Sequence, residues 1–116
     1  MTPERYAIYM VELDPVRGSE LAKTRPAVVV SRDEMNAALE TVVVCPLTTR
    51  LHPRWRSRIQ ITCAGRKAEV AVDQIRTVSK LRLRDRLDAL APVAAAELRR
   101  TISEMYGEQK VVEGEP

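Results

Sequence analysis

The chain has 116 residues, 45% of them hydrophobic and 30% charged, with a net charge of +3 at pH 7. That length holds one small domain, and with no Phe, three Tyr and one Trp its core falls to Val, Leu, Ile and Ala. A membrane-spanning helix is excluded for want of ~18 consecutive apolar residues; the only cysteines, Cys45 and Cys63, both lie in apolar strand-like runs and read as buried free thiols rather than a disulfide scaffold, and with the single His52 they make no zinc-ligand cluster.

Taken in chain order, Tyr6–Leu13 is apolar on both alternating faces and predicts a central strand, ended by Asp14-Pro15. The opening residues carry no hydrophobic leader. Val16–Lys23 predicts a loop with Gly18, Ser19 and Glu20 at its tip, and Ala27–Ser31 a second strand. Ser31-Arg32-Asp33-Glu34 has the form of a capping box and predicts a short helix to about Leu39, with Met35 and Leu39 paired at i,i+4 spacing. Thr41–Leu47 predicts a third strand and residues 48–56 a loop broken by Pro53. Arg58–Thr62 and Ala68–Val72 read as a hairpin turned at Ala64–Lys67. Asp73–Arg76 reads as a turn, and Thr77–Lys80 and Arg86–Leu90 as short strands. Pro92 opens the last helix, striped by Ala94, Leu98, Ile102, Met105 and Tyr106 and closed at Gly107. The expected fold is mainly β, a strongly bent sheet or barrel with a short inserted helix and a C-terminal helix. Residues 1–107 form the domain, and 108–116 a polar, frayed tail.

Two apolar runs carry polar groups that a strand core does not explain. Arg25 leads the run Thr24-Arg25-Pro26-Ala27-Val28-Val29-Val30-Ser31, and Thr48 closes the run Thr41-Val42-Val43-Val44-Cys45-Pro46-Leu47-Thr48-Thr49. If the two strands pair antiparallel, a permanent cation meets a hydroxyl at one rim of the sheet, an arrangement that suits a phosphate. Alternation of side chains implies that only one of Thr48 and Thr49 faces that rim. Two basic clusters, Arg50/Arg54/Arg56/Arg58 around His52 and Trp55, and Arg76/Lys80/Arg82/Arg84/Arg86, point to a polyanion. A single block of like charge usually means a solvated face; two in so small a domain add weight to the polyanion.

These residues resemble a known family. Leu13-Asp14-Pro15 with Gly18-Ser19-Glu20, Lys23-Thr24-Arg25-Pro26, Val43-Val44-Cys45-Pro46-Leu47-Thr48 and Val72-Asp73-Gln74-Ile75-Arg76-Thr77-Val78 with Lys80 occur in the order and spacing of the MazF/PemK toxin endoribonucleases. The resemblance runs from about Tyr6 to Gly107. It departs from the pattern at Leu21, where many relatives have glutamine, at Tyr6-Ala7, and in the basic loop 50–58. It implies an SH3-like β-barrel acting as a homodimer in the cytoplasm, free of cofactor and metal. It also implies a cognate antitoxin as partner, and single-stranded RNA cleaved by attack of a ribose 2′-hydroxyl on its own phosphate.

The resemblance implies catalytic roles for Arg25, Thr48 and Glu20, and an RNA contact for Gln74. A guanidinium suits the charge that gathers on the phosphate oxygens, but with a pKa above 12 it carries protons poorly, which leaves proton transfer to water or Glu20. Arg50, Arg54, Arg56 and Trp55 combine charge with a stacking ring, as single-stranded RNA requires. Cys45 reads as a small buried hydrophobe. The rival from another class is a non-catalytic SH3-like toxin that grips DNA gyrase or RNA without cutting.

Overall fold

The computed structural model describes residues 2–13 and 23–108. The predicted loop tip, with Gly18, Ser19 and Glu20, and the predicted C-terminal tail from 109 onward lie outside these residues. Seven strands follow in chain order: β1 Ala7–Glu12, β2 Thr24–Val29, β3 Thr41–Thr48, β4 Arg58–Cys63, β5 Arg66–Ala71, β6 Arg76–Ser79 and β7 Leu83–Ala89. Helix α1 (Asp33–Ala38) is inserted between β2 and β3, and α2 (Pro92–Tyr106) closes the described chain. The sheet runs β4-β5-β3-β2-β1-β7, and β6 pairs with the first half of β3. It curls until its ends approach, where the Ala64 N–H donates to the Asp88 carboxylate at 2.9 Å.

The valine runs are unbroken because the central strands are buried on both faces. One face packs Ile8, Val28, Cys45, Leu47, Ile59 and Val70 beneath Leu98 of α2. The other packs Tyr9, Val11, Ala27, Val29, Val44 and Val78 against Leu83 of β7. Cys45 and Cys63 are buried free thiols. In α2 the buried positions are Ala95, Leu98 and Thr101, with Ala94 and Ile102 half-buried and Met105 and Tyr106 exposed. The apolar stripe is therefore rotated from the expected one at its C-terminal end. The Tyr106 hydroxyl instead donates to the Val72 carbonyl at 2.9 Å. Gly107 caps α2 because a Cβ there would meet the Ser103 carbonyl oxygen at 2.5 Å.

Two local expectations are corrected. Ser31 is not a helix cap: α1 starts after Arg32, and no side chain caps it. The Ser31 hydroxyl donates to the Asn36 amide oxygen and accepts from the Val43 N–H, so the buried member of the helix is Asn36, while Met35 and Leu39 are each 46% exposed. The hairpin turn is also tighter than expected. Ala64 and Gly65, both at positive φ (49° and 79°), form a two-residue connection of the kind that matches strand twist. It sets Gln60 opposite Glu69 and Arg58 opposite Ala71.

Candidate active site

The site begins with two prolines. The β2–β3 ladder pairs Val29 with Val44, Val28 with Cys45 and Ala27 with Pro46, and the Val30 N–H donates to the Val43 carbonyl at 2.9 Å. Odd-numbered residues of β3 therefore turn their backbone groups toward β2, and even-numbered ones toward β5 and β6. The next rung would join Pro26 to Leu47, but proline has no N–H to give. The ladder stops there, and Arg25 takes its place, Nη1 donating to the Leu47 carbonyl at 3.4 Å. The missing N–H of Pro46 falls on the opposite edge, where the 3-10 turn Val72–Gln74 separates β5 from β6. Leu47 and Thr48 pair instead with Val70 and Glu69 of β5.

Where β2 and β3 part, a cleft of about 290 Å³ opens, lined by Arg25, Thr48, Thr49 and Arg66 over Pro26, Leu47, Cys63 and Leu87. Arg25 and Thr48 thus line one cavity, in the arrangement expected from their strand ends. Alternation does not separate Thr48 from Thr49, because β3 ends at Thr48 and the chain bends. Thr48 is 8% exposed, and its Oγ1 accepts the Arg50 N–H at 3.1 Å. Arg66, across the cleft on β5, was not singled out in the sequence, since a charge beside a hairpin turn looks like ordinary surface.

Thr48 also forms a wall of a second cleft of about 360 Å³, with Arg50, His52, Trp55, Arg58, Asp73 and Gln74. Of the expected RNA-contact residues, Arg50, Trp55 and Gln74 line it. Arg54 and Arg56 line neither cleft; both are exposed, and Arg56 reaches Glu104 at 3.5 Å on the open surface. Arg58 departs furthest from expectation. It is 9% exposed, donating from Nη1 to Glu69 at 2.6 Å and from Nε to Asp73 at 2.8 Å.

Glu69 is fully buried. Besides Arg58, it accepts the His52 backbone N–H and the Gln60 amide. Burial alone would push its carboxyl up, but these bonds together hold it below the usual carboxylate range. Asp73 is likewise held low, burial being outweighed by bonds from Arg58 and Ser57. Above the cluster the His52 and Trp55 rings stack with centroids 3.9 Å apart, and the Arg58 guanidinium lies 4.7 Å from the Trp55 ring centre. The loop after β3 is therefore tied to the barrel, with Trp55 still 49% exposed.

The second basic cluster is largely spent within the protein. Arg84 pairs with Glu12 and Arg86 with Glu4, while Arg76 donates to the Leu13 carbonyl at 3.1 Å. Burial, with a smaller contribution from Asp73, pushes the Cys45 thiol up to about 12, so it stays protonated and inert.

Comparison with known proteins agrees with this architecture. Endoribonuclease MazF of Staphylococcus saprophyticus is 30% identical over 105 residues, covering 86% of this chain and 88% of the relative. MazF from Deinococcus radiodurans shares the fold with a TM-score of 0.81 at 22% identity, over 93% of this chain and 99% of that one. A mycobacterial endoribonuclease in complex with its cognate antitoxin follows at 0.77 and 21%, over 94% and 99%. The family of PemK-like, MazF-like toxins of type II toxin–antitoxin systems matches residues 4–106, and the chain belongs to it.

Proposed function

We propose that this MazF-like endoribonuclease cuts single-stranded RNA at a short sequence, without a metal, leaving a 2′,3′-cyclic phosphate and a 5′-hydroxyl. The observation that carries the reading is that Arg25 and Thr48 line one cleft, the cation joined to the strand that bears the hydroxyl. The attacking 2′-oxygen belongs to the substrate, so the protein has to orient a phosphodiester and stabilise its charge. Arg25 supplies the charge and a planar fork of donors. The Thr48 O–H, whose oxygen already accepts from Arg50, is left to donate to a phosphate oxygen. The 2′-hydroxyl proton goes to Glu20 or to water, and the departing 5′-oxygen takes a proton from solvent. Arg50, Trp55 and Gln74 hold a neighbouring nucleotide in the second cleft, with Arg54 and Arg56 adding charge at its margin.

As the family resemblance implies, the enzyme works as a cytoplasmic homodimer; restraint by an antitoxin is supported by the mycobacterial endoribonuclease solved in complex with its cognate antitoxin. An acidic, partly disordered antitoxin segment would order across the same basic surface.

Incubation with a long RNA in EDTA tests the reading. Fragments ending in a cyclic phosphate are expected, and Arg25→Ala should lower the rate at least about 100-fold, the usual cost of one oxyanion donor, while its melting temperature stays within a few degrees. Intact RNA together with inhibited DNA gyrase would favour the gripping toxin.

A further inference from the structure

We infer that Arg58, held between Glu69 and Asp73, is a positioning residue that fixes both walls of the second cleft and so preforms a base-binding site. The inference rests on the reading of that cleft as an RNA contact. One wall is the loop after β3. Glu69 holds it by the His52 N–H, and Arg58 lies under the Trp55 ring that stacks on His52. The other wall is the 3-10 turn bearing Asp73 and Gln74, which Arg58 grips through Nε at 2.8 Å. One guanidinium thus spans the floor, its planar fork divided between Asp73 on one wall and Glu69, the β5 carboxylate that holds the other wall from below. Lysine cannot reproduce this, because an ammonium on a flexible stem is a point donor that neither bridges in a plane nor stacks on indole.

A ring fixed before RNA arrives loses less rotamer freedom on binding, so preorganisation appears as affinity. Removing the clamp should therefore act on binding, with little effect on the bond-breaking step at Arg25 and Thr48.

The chain contains one tryptophan, so emission excited selectively from tryptophan reports on Trp55 alone. Arg58→Lys is compared with the unaltered protein in three measurements: Trp55 emission with acrylamide quenching, binding of an uncleavable 2′-O-methyl RNA oligonucleotide, and cleavage kinetics on RNA. The expected result is a red-shifted, more quenchable emission, binding weaker by about ten-fold, the worth of one base stack, and a KM raised by a similar factor with kcat within about two-fold. Unchanged emission, unchanged binding, or a fall in kcat at constant KM would each overturn the inference. If Arg58→Lys does not fold, Glu69→Gln carries the same expectations and refutations, since it keeps the side-chain shape and an acceptor for His52. If the protein binds the oligonucleotide but cuts no RNA, the nuclease reading fails while the emission and binding arms still decide this one.

Discussion

Thr48 is nearly buried and shared between the two clefts. It is the last residue of β3, and its cross-strand partner is the buried Glu69. Its oxygen accepts the Arg50 N–H at 3.1 Å, which starts the bend carrying the chain over the second cleft. A hydroxyl that accepts one bond keeps its proton for another partner. Replacing it by the isosteric valine removes that proton without opening a cavity. Thr48→Val should lower kcat/KM by roughly 10²–10³, with a stability loss of about 1 kcal/mol from the unpaired Arg50 N–H. Thr48→Ser should keep most of the activity. Single-turnover cleavage with melting curves checks both, and a valine variant that cuts at the normal rate would remove Thr48 from the chemistry.

At the scale of elements, the β4–β5 hairpin builds the floor of the second cleft. Its ion pair joins residues eleven apart, Arg58 and Glu69. Glu69 and Asp73 are held below the usual carboxylate range despite burial. A carboxyl whose folded pKa is depressed adds stability that is present above its unfolded value, near pH 4, and is lost as the pH falls toward the folded value. The melting temperature should hold from pH 7 to about pH 5 and decline below about pH 4. Glu69→Gln should be less stable than the unaltered protein by about 3 kcal/mol at pH 7, with the gap narrowing at pH 3. Melts at the two pH values decide it; a gap of equal size in both would mean that ionisation of Glu69 contributes nothing.

This hairpin is also where the sequence was least legible. The meeting of Arg25 and Thr48 could be anticipated because Arg25 leads one apolar run and Thr48 closes the next, so antiparallel pairing brings the two to one rim of the sheet. The Arg58–Glu69 pair could not, because Arg58 alternates with other arginines in a basic stretch. Its true partner appears only in the register set by the Ala64-Gly65 turn. A four-residue turn at Ala64–Lys67 misaligns the strands and leaves Arg58 with the solvated charges.

Across the whole molecule, the distribution of charge matters more than its sum. A net charge of +3 is small, and Arg84 and Arg86 are matched by Glu12 and Glu4 on neighbouring strands. Among the described residues, the cations lining the two clefts are Arg25 and Arg66 in one and Arg50 and Arg58 in the other, Arg58 being already bound by Glu69 and Asp73. Binding to a polyanion releases one counterion for each phosphate neutralised, and affinity falls with salt in proportion to that number. RNA affinity should therefore decline with added salt at a slope set by the cleft arginines. Arg50→Ala should flatten the logarithmic slope by about one, whereas Arg84→Ala, which releases Glu12 and the Leu81 carbonyl to solvent, should leave it unchanged. Titrating a labelled 2′-O-methyl RNA between low and moderate salt separates the cases. An equal flattening from both substitutions would mean that RNA wraps the β7 face as well, and that the two clefts are only part of its path.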